Sequence, residues 1–217
     1  MNTLTSPALA PLLTRLFAQA DAATSPAMSS ISRDERERLM RSKSEYLDFY
    51  GRIKELWLPV SPQTGRLLYM LARHSKARSI VEFGTSFGIS TLHLAAALRD
   101  NGGGRLITSE FEPTKVARAR EHLEEAGLSE LVEFREGDAL KTLAVDLPES
   151  IDLLLLDGAK SLYGDVLDRL EMHLRAGALV VADNVDYCPD YLERVRTSGS
   201  YLSLPVGDDV ELSIRLS

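Results

Sequence analysis

From Ser79 onward, short apolar runs alternate with stretches whose apolar residues fall at helical spacing: SIVEF then STLHLAAAL, RLITSE then TKVARAREHLEEA, LVEF then ALKTLA, IDLLLLD then a helical run to Leu174, and ALVVADN then PDYLERVR. Alternation of this kind predicts a parallel sheet covered by helices on both faces. LLLL and ALVV are apolar at every position, which marks central strands buried on both sides. The last two apolar runs, YLSLP and VELSIRLS, are separated only by Val206-Gly207-Asp208-Asp209 and predict an antiparallel hairpin at one end of the sheet. The expected fold is therefore α/β, a doubly wound, mostly parallel seven-stranded sheet finished by an antiparallel hairpin.

The chain before the sheet reads differently. Apolar positions from Thr5 to Ala20 predict an arm helix, and the small, polar, proline-containing residues 21–30 predict a linker. The run from Ser32, RDERERLMRSKSEYLDFYGRI, sets charge against Leu39, Met40, Tyr46, Leu47 and Phe49 and reads as an amphipathic helix. Ser61 followed by Pro62 is an N-cap with proline at the first helical position, opening a helix through about Arg73. This divides the chain into a helical extension over residues 1–60 and a main domain over residues 61–217.

Composition narrows the class. With 217 residues, 44% hydrophobic and 26% charged, the chain has the balance of an ordinary folded protein. A net charge of -7 argues against the broad basic surface that nucleic-acid binding requires, and favours a small molecule as partner. The lone Cys188 has no internal disulfide partner and no recognisable histidine partner for nucleophilic work. No apolar run reaches membrane-spanning length, so neither a membrane nor a secretory route is expected, and a cytoplasmic location follows. His74, His93, His122 and His173 are scattered over predicted helices without metal-ligand spacing.

The candidate chemistry sits at strand ends, where doubly wound sheets bind ligands. The first strand runs into Glu82-Phe83-Gly84-Thr85-Ser86-Phe87-Gly88-Ile89-Ser90, a turn whose glycines let backbone approach a ligand while the following helix offers unpaired N–H groups. The G-x-G-x-x-G spacing of a nicotinamide enzyme is absent. Glu110 closes the second strand, placed either to accept from two ribose hydroxyls or to stand as a solvated loop acid. Asp138 follows the third strand, as an adenine partner, as an N-cap, or as both.

The stretch from about Ser61 to the C-terminus resembles the cation-dependent class I O-methyltransferases of the catechol and caffeoyl-CoA type. The E-x-G-x-x-x-G-x-S turn matches that family's cofactor loop. The resemblance implies S-adenosylmethionine as cofactor, held by Glu82, Gly84, Thr85, Ser86, Gly88, Ser90, Glu110, Phe111, Asp138 and Ala139, with Asp157 and Tyr163 beside them. LLLLDGAK and LVVADN put Asp157 and the adjacent Asp183-Asn184 at the ends of two central strands, three hard oxygen donors suited to magnesium or another divalent cation. Two hydroxyls of a catechol-like acceptor fill two open metal positions, and coordination lowers their pKa. Lys160 falls where the family's general base lies. Tyr163 is either part of the site or packing. Lys160, Asn184 and Glu211 are candidate substrate contacts, and Glu211 is equally readable as a solvent-facing strand residue. The family also implies a homodimer. Two other readings keep the fold: a methyltransferase acting on tRNA or another large acceptor, helped by Arg33, Arg36, Arg38, Arg41 and Lys43, and a cofactor-binding protein without catalysis.

Overall fold

The computed structural model describes residues 2–207 and 209–217. The predicted turn between the last two strands contains Asp208, which lies outside the described residues. In chain order the elements are α1 (Leu9–Ala22), α2 (Pro26–Ser29), α3 (Arg33–Met40), α4 (Tyr46–Arg52), α5 (Pro62–His74), β1 (Ser79–Phe83), α6 (Ile89–Asp100), β2 (Arg105–Glu110) and α7 (Pro113–Glu125). There follow β3 (Val132–Glu136), α8 (Ala139–Thr142), β4 (Ile151–Leu156), α9 (Tyr163–Leu170), β5 (Leu174–Ala182), α10 (Pro189–Thr197), β6 (Tyr201–Pro205) and β7 (Glu211–Arg215).

The strands form a seven-stranded sheet in the order β3-β2-β1-β4-β5-β7-β6. β1 pairs in parallel with both β2 and β4, β4 with β5, and β2 with β3, while β7 runs antiparallel to both β5 and β6. The expected doubly wound sheet with an antiparallel end is what the chain builds. The winding reverses between β1 and β4, so the carboxyl ends of those two strands frame the crevice in which such sheets hold ligands.

Alternate residues of the central strands feed two cores. Ile80, Leu106, Leu153, Leu155 and Val181 face α1, α5 and α6, whereas Val81, Ile107, Leu154, Leu156 and Val180 face α9 and α10. Two-sided burial is the reason these strands are apolar throughout. Local chemistry sets several helix starts: Ser61 Oγ accepts from Thr64 N at 3.0 Å ahead of Pro62, and Glu112 caps α7 ahead of Pro113.

The N-terminal part departs from its sequence pattern in three places. The arm helix is docked, because Leu9, Leu12, Leu13 and Leu16 of α1 are buried in the first core. The expected linker contains a short helix, α2, capped by Ser25. The expected single helix after Ser32 is split into α3 and α4. Ser42 Oγ accepts from Glu45 N at 3.1 Å, starting a second helix, and an Arg38–Glu45 ion pair closes the corner. The bend lets Leu39 of α3 meet Phe49 and Ile53 in a small third cluster with Ile31. No helix of the described residues is long and apolar enough to cross a membrane.

Leu16 is fully buried between α1 and the sheet-side core. Leu16→Ala is expected to lower unfolding free energy by about 2–5 kcal/mol, the cost of a buried leucine cavity. Urea denaturation measures it, and a loss under about 0.5 kcal/mol, typical of surface changes, would mean that α1 is not part of the core.

Candidate active site

β1 delivers the first part of the site. Its chain turns through Gly84 to Gly88 into α6, and Gly84 has a φ of 107°. A Cβ at Gly84 would stand 2.5 Å from the Asp157 carbonyl oxygen, so only glycine lets the β1 turn pass the end of β4. Beneath the turn, the fully buried Glu82 carboxylate accepts from Ser90 Oγ at 2.5 Å and from Thr91 Oγ1 and Thr108 Oγ1, each at 2.6 Å. Thr85 Oγ1 joins the cluster 2.5 Å from Thr108 Oγ1. Burial pushes Glu82 up to about 7, opposed by the three hydroxyls and assisted by the Asp157 charge. Glu82, Thr85 and Ser90 therefore brace the turn from below.

The second part comes from β2 and β3. Glu110 accepts from the backbone N–H of Ser86 at 2.9 Å, of Phe111 at 3.0 Å and of Glu112 at 3.1 Å. It thereby ties the β1 turn to the end of β2, with oxygen lone pairs to spare for a ligand. Asp138 does act as the N-cap of α8, accepting from Leu140 N at 2.9 Å, and it also lines the cavity described below.

The third part sits at the ends of β4 and β5. Leu156 pairs with Ala182 in register, so the residues that follow, Asp157 and Asp183, stand beside each other. Lys160 Nζ donates to Asp157 Oδ1 at 2.8 Å and to Tyr163 Oη at 2.9 Å, and Tyr163 Oη in turn donates to the Asp183 carbonyl at 2.7 Å. Asn184 holds a left-handed backbone, with φ of 53°, and its Nδ2 donates to Asp209 Oδ2 at 2.9 Å. Its amide oxygen is thus presented as the acceptor. Burial and the neighbouring Asp157 charge push Asp183 up to about 7, with Asp209 adding to the repulsion and Lys160 opposing it. Burial also raises Asp157 against the pull of Lys160. Burial lowers Lys160, but Asp157, with Tyr50 and Asp183 adding to it, outweighs burial and favours the ammonium form. Cys188, its thiol pushed up to about 12 mainly by burial, has no nucleophilic character.

These parts converge on a cavity of about 400 Å³. Its wall includes Gly84, Ser86, Glu110, Phe111, Asp138, Ala139, Asp157, Lys160 and Asn184 among the residues expected from sequence. Seven expected residues are outside that wall: Glu82, Thr85, Gly88 and Ser90 lie in or beneath the β1 turn, Asp183 stands beside Asp157 after β5, and Tyr163 and Glu211 are elsewhere. Tyr163 is buried behind Lys160 and positions it. Glu211, on β7 opposite Ala182, is buried and accepts from Arg196 Nε at 2.8 Å, Arg196 Nη2 at 2.6 Å and Ser203 Oγ at 2.6 Å. Its carboxylate is engaged between α10 and β6, away from the cavity wall. The sequence reading also missed the cavity's roof, made by Met40, Tyr46, Tyr50, Trp57 and Leu58. Trp57 stacks on Phe87 of the β1 turn at 4.2 Å. Lys115 stands 5.3 Å from the same ring, its ammonium form disfavoured by burial. The amphipathic pattern of residues 32–53 was the available signal for the roof, since it left an apolar face needing cover.

Between its ordinary value of 4.5 and about 7, Glu82 keeps a proton in the folded chain that the unfolded chain releases. That stability is present in full below about pH 4.5 and is lost as pH rises through about 7. Glu82→Gln, which mimics the neutral acid, is expected to flatten this slope and to be more stable than the parent near pH 8 by about 1–3 kcal/mol. Urea denaturation near pH 5 and pH 8 measures it, and an unchanged slope would remove Glu82 as its source.

Known proteins are similar to this chain in sequence and in fold. The profile of the O-methyltransferase family matches residues 31–200. Catechol O-methyltransferase of Niastella koreensis is 37% identical over 131 residues, covering 59% of this chain and 58% of the relative. Catechol O-methyltransferase B of Danio rerio is 32% identical over 199 residues, covering 82% of this chain and 74% of the relative. The chain thus spans well under two thirds of the bacterial relative and about three quarters of the fish one. Among solved structures, the O-methyltransferase of Bacillus cereus in complex with SAH is similar with a TM-score of 0.69 and 25% identity, over 79% of this chain and 89% of that one. TomG of Streptomyces achromogenes, an O-methyltransferase of tomaymycin synthesis solved with SAM, is similar with a TM-score of 0.68 and 28% identity, over 87% of this chain and 92% of that one. A profile that runs from just before α3 to just before β6, over a cavity walled by the ends of β1, β2, β4 and β5, establishes that this chain belongs to the O-methyltransferase family.

Proposed function

We propose that the chain transfers a methyl group from S-adenosylmethionine to a hydroxyl of a small acceptor with vicinal, catechol-like hydroxyls, with a divalent cation, magnesium in the first instance, held at Asp157, Asp183 and Asn184. The observation that carries the reading is the pair of buried carboxylates at the ends of β4 and β5 with a single ammonium, Lys160, against one of them. Among the described residues, no three His, Cys, Asp or Glu side chains group into a metal cage. The donors are instead two carboxylates and an amide oxygen, a hard set that leaves coordination positions open for acceptor oxygens. No hydrogen bond from the described residues lowers the Asp183 carboxyl, and Asp157 and Asp209 repel its charge. A dication fits that deficit.

When bound, S-adenosylmethionine supplies a sulfonium-activated methyl group and a dication supplies Lewis acidity toward the acceptor oxygen. The chain's own residues do the rest. Glu110, Asp138 and the Gly84 turn hold the nucleoside portion, with the Glu110 carboxylate fixed by three backbone N–H groups in a position to accept from ribose hydroxyls. Lys160, held by Tyr163 and Asp157, is placed to take up the acceptor's proton. A cation held at Asp157 would take up part of the charge that supports the ammonium form, and Lys160 would then serve as base in its neutral amine form. The mostly apolar roof excludes water from the transfer.

Methyl transfer to catechol is expected to need added magnesium and to stop in excess EDTA. Lys160→Met is expected to lower the rate about 100- to 10,000-fold, the range of general acid–base catalysis, and Asp157→Ala to lower it at least as far. A radiolabelled-methyl assay reads both, and turnover that persists in EDTA or survives loss of Asp157 contradicts the metal-assisted reading.

A further inference from the structure

Lys115 lies in the first turn of α7, where local chemistry gives a lysine little reason to be. The positive end of the helix dipole opposes a cation there, and lysines are almost never buried unless paired. Lys115 is only 6% exposed, and among the described residues its Nζ has neither a hydrogen-bond acceptor nor an ion-pair partner. Burial disfavours its ammonium form, and Glu110, Glu112 and Glu55 support it only from beyond ion-pair distance. The charge rests instead over the ring of Phe87, 5.3 Å from its centre.

The residue stands on the cavity wall with Glu110, Phe111 and Trp57, and its nitrogen is not among the side-chain atoms sealed from solvent. Phe87 beneath it is fixed, by Trp57 stacked at 4.2 Å and by His122, whose Nδ1 pairs with the Phe87 carbonyl at 2.8 Å. Neither Asp157 nor Asp183 is among the charges that act on Lys115, whereas Glu110 is, so the lysine belongs to the Glu110 end of the cavity rather than to the paired carboxylates. Glu110, held by three backbone N–H groups, can only accept. A ligand diol that gives its protons to Glu110 still has oxygen lone pairs to satisfy, and Lys115 is a free donor at that end. An anion fits less well, because three carboxylates act on the same nitrogen.

We propose that Lys115 is a cofactor-binding residue, its Nζ donating a hydrogen bond to a ribose hydroxyl oxygen whose proton is taken by Glu110. The inference rests on the S-adenosylmethionine reading of the same cavity. The nitrogen donates whether or not it carries its extra proton, so the contact does not depend on the charge that burial disfavours. A partner supplied by the ligand also accounts for a buried, unpaired lysine at a helix start: local rules are broken where a binding site gains from it.

The test compares the full chain with Lys115→Met, which keeps an unbranched stem over Phe87 and removes the donor. Calorimetric titration of S-adenosylhomocysteine is expected to give a dissociation constant about 10-fold weaker in the variant, the loss of one hydrogen bond from a charged donor. 5′-Methylthioadenosine, which lacks the amino-acid end, should show the same loss, while its 2′,3′-dideoxy analogue should bind parent and variant within about twofold of each other. The thermal midpoint of the ligand-free variant should match or exceed the parent's, because a buried unpaired cation has been removed. S-Adenosylhomocysteine affinity within about twofold of the parent overturns the inference while leaving the methyltransferase reading intact. A loss that disappears with 5′-methylthioadenosine overturns it by assigning the lysine to the amino-acid end. A loss that persists with the dideoxy analogue, or a lowered midpoint, overturns it by making Lys115 a structural residue. A parent chain that binds neither S-adenosylhomocysteine nor 5′-methylthioadenosine refutes the cofactor reading first and takes this inference with it.

Discussion

Two carboxylates buried side by side, Asp157 and Asp183, set the terms for everything around them. They follow paired residues of β4 and β5, so the register of the sheet fixes their separation, and burial leaves little water to screen them. Lys160 answers part of the charge, Tyr163 locks Lys160 in place, and Asp209 adds a further negative charge through its contact with Asn184. Such an arrangement costs stability when nothing else is bound. Asn184, next in the chain after Asp183, holds a left-handed backbone and donates from its Nδ2 to Asp209 Oδ2.

The β1 turn, the proposed cofactor side, is tied to these carboxylates through Gly84. Its backbone passes against the Asp157 carbonyl, which places the β1 turn within reach of the β4 end, and Asp157 N donates to the Phe83 carbonyl at 2.8 Å. Glu82 and Glu110 then hold that turn from below and from the side, one through three hydroxyls and the other through three backbone N–H groups. The ends of β1, β2 and β4 are thereby held rigidly together, the geometry that the proposed positioning of methyl donor and acceptor requires. The helices before β1 add the remaining wall.

What could be read from sequence was what local pattern dictates. LLLLD and ALVVAD announce buried central strands because an apolar run with a terminal acid has few other meanings in a βα chain, and Gly84 and Gly88 mark a turn that other residues would strain. Of the two roles read for Asp138, adenine partner and N-cap, the structure carries the N-cap, because a cap depends on its immediate neighbours. What escaped depended on contacts between distant segments. Glu211 has Arg196 and Ser203 as partners, and neither pairing is visible before β6, β7 and α10 are assembled. Glu82 was grouped with cofactor-binding residues because it belongs to the glycine turn's motif, yet strand alternation sends its carboxylate inward under the turn. The roof read as one amphipathic helix, and the break at Ser42 that redirects it over the cavity rests on a single serine cap and an ion pair.

The central claim is that the paired carboxylates are completed by a dication, and direct binding tests it without reference to turnover. Calorimetric titration of magnesium into the full chain saturated with S-adenosylhomocysteine should show one ion bound per chain, with binding lost or weakened at least about 10-fold in Asp183→Asn, the scale on which metal affinity responds even to changes around the ligands. Absence of binding in the parent protein, or binding of equal strength in Asp183→Asn, would contradict it.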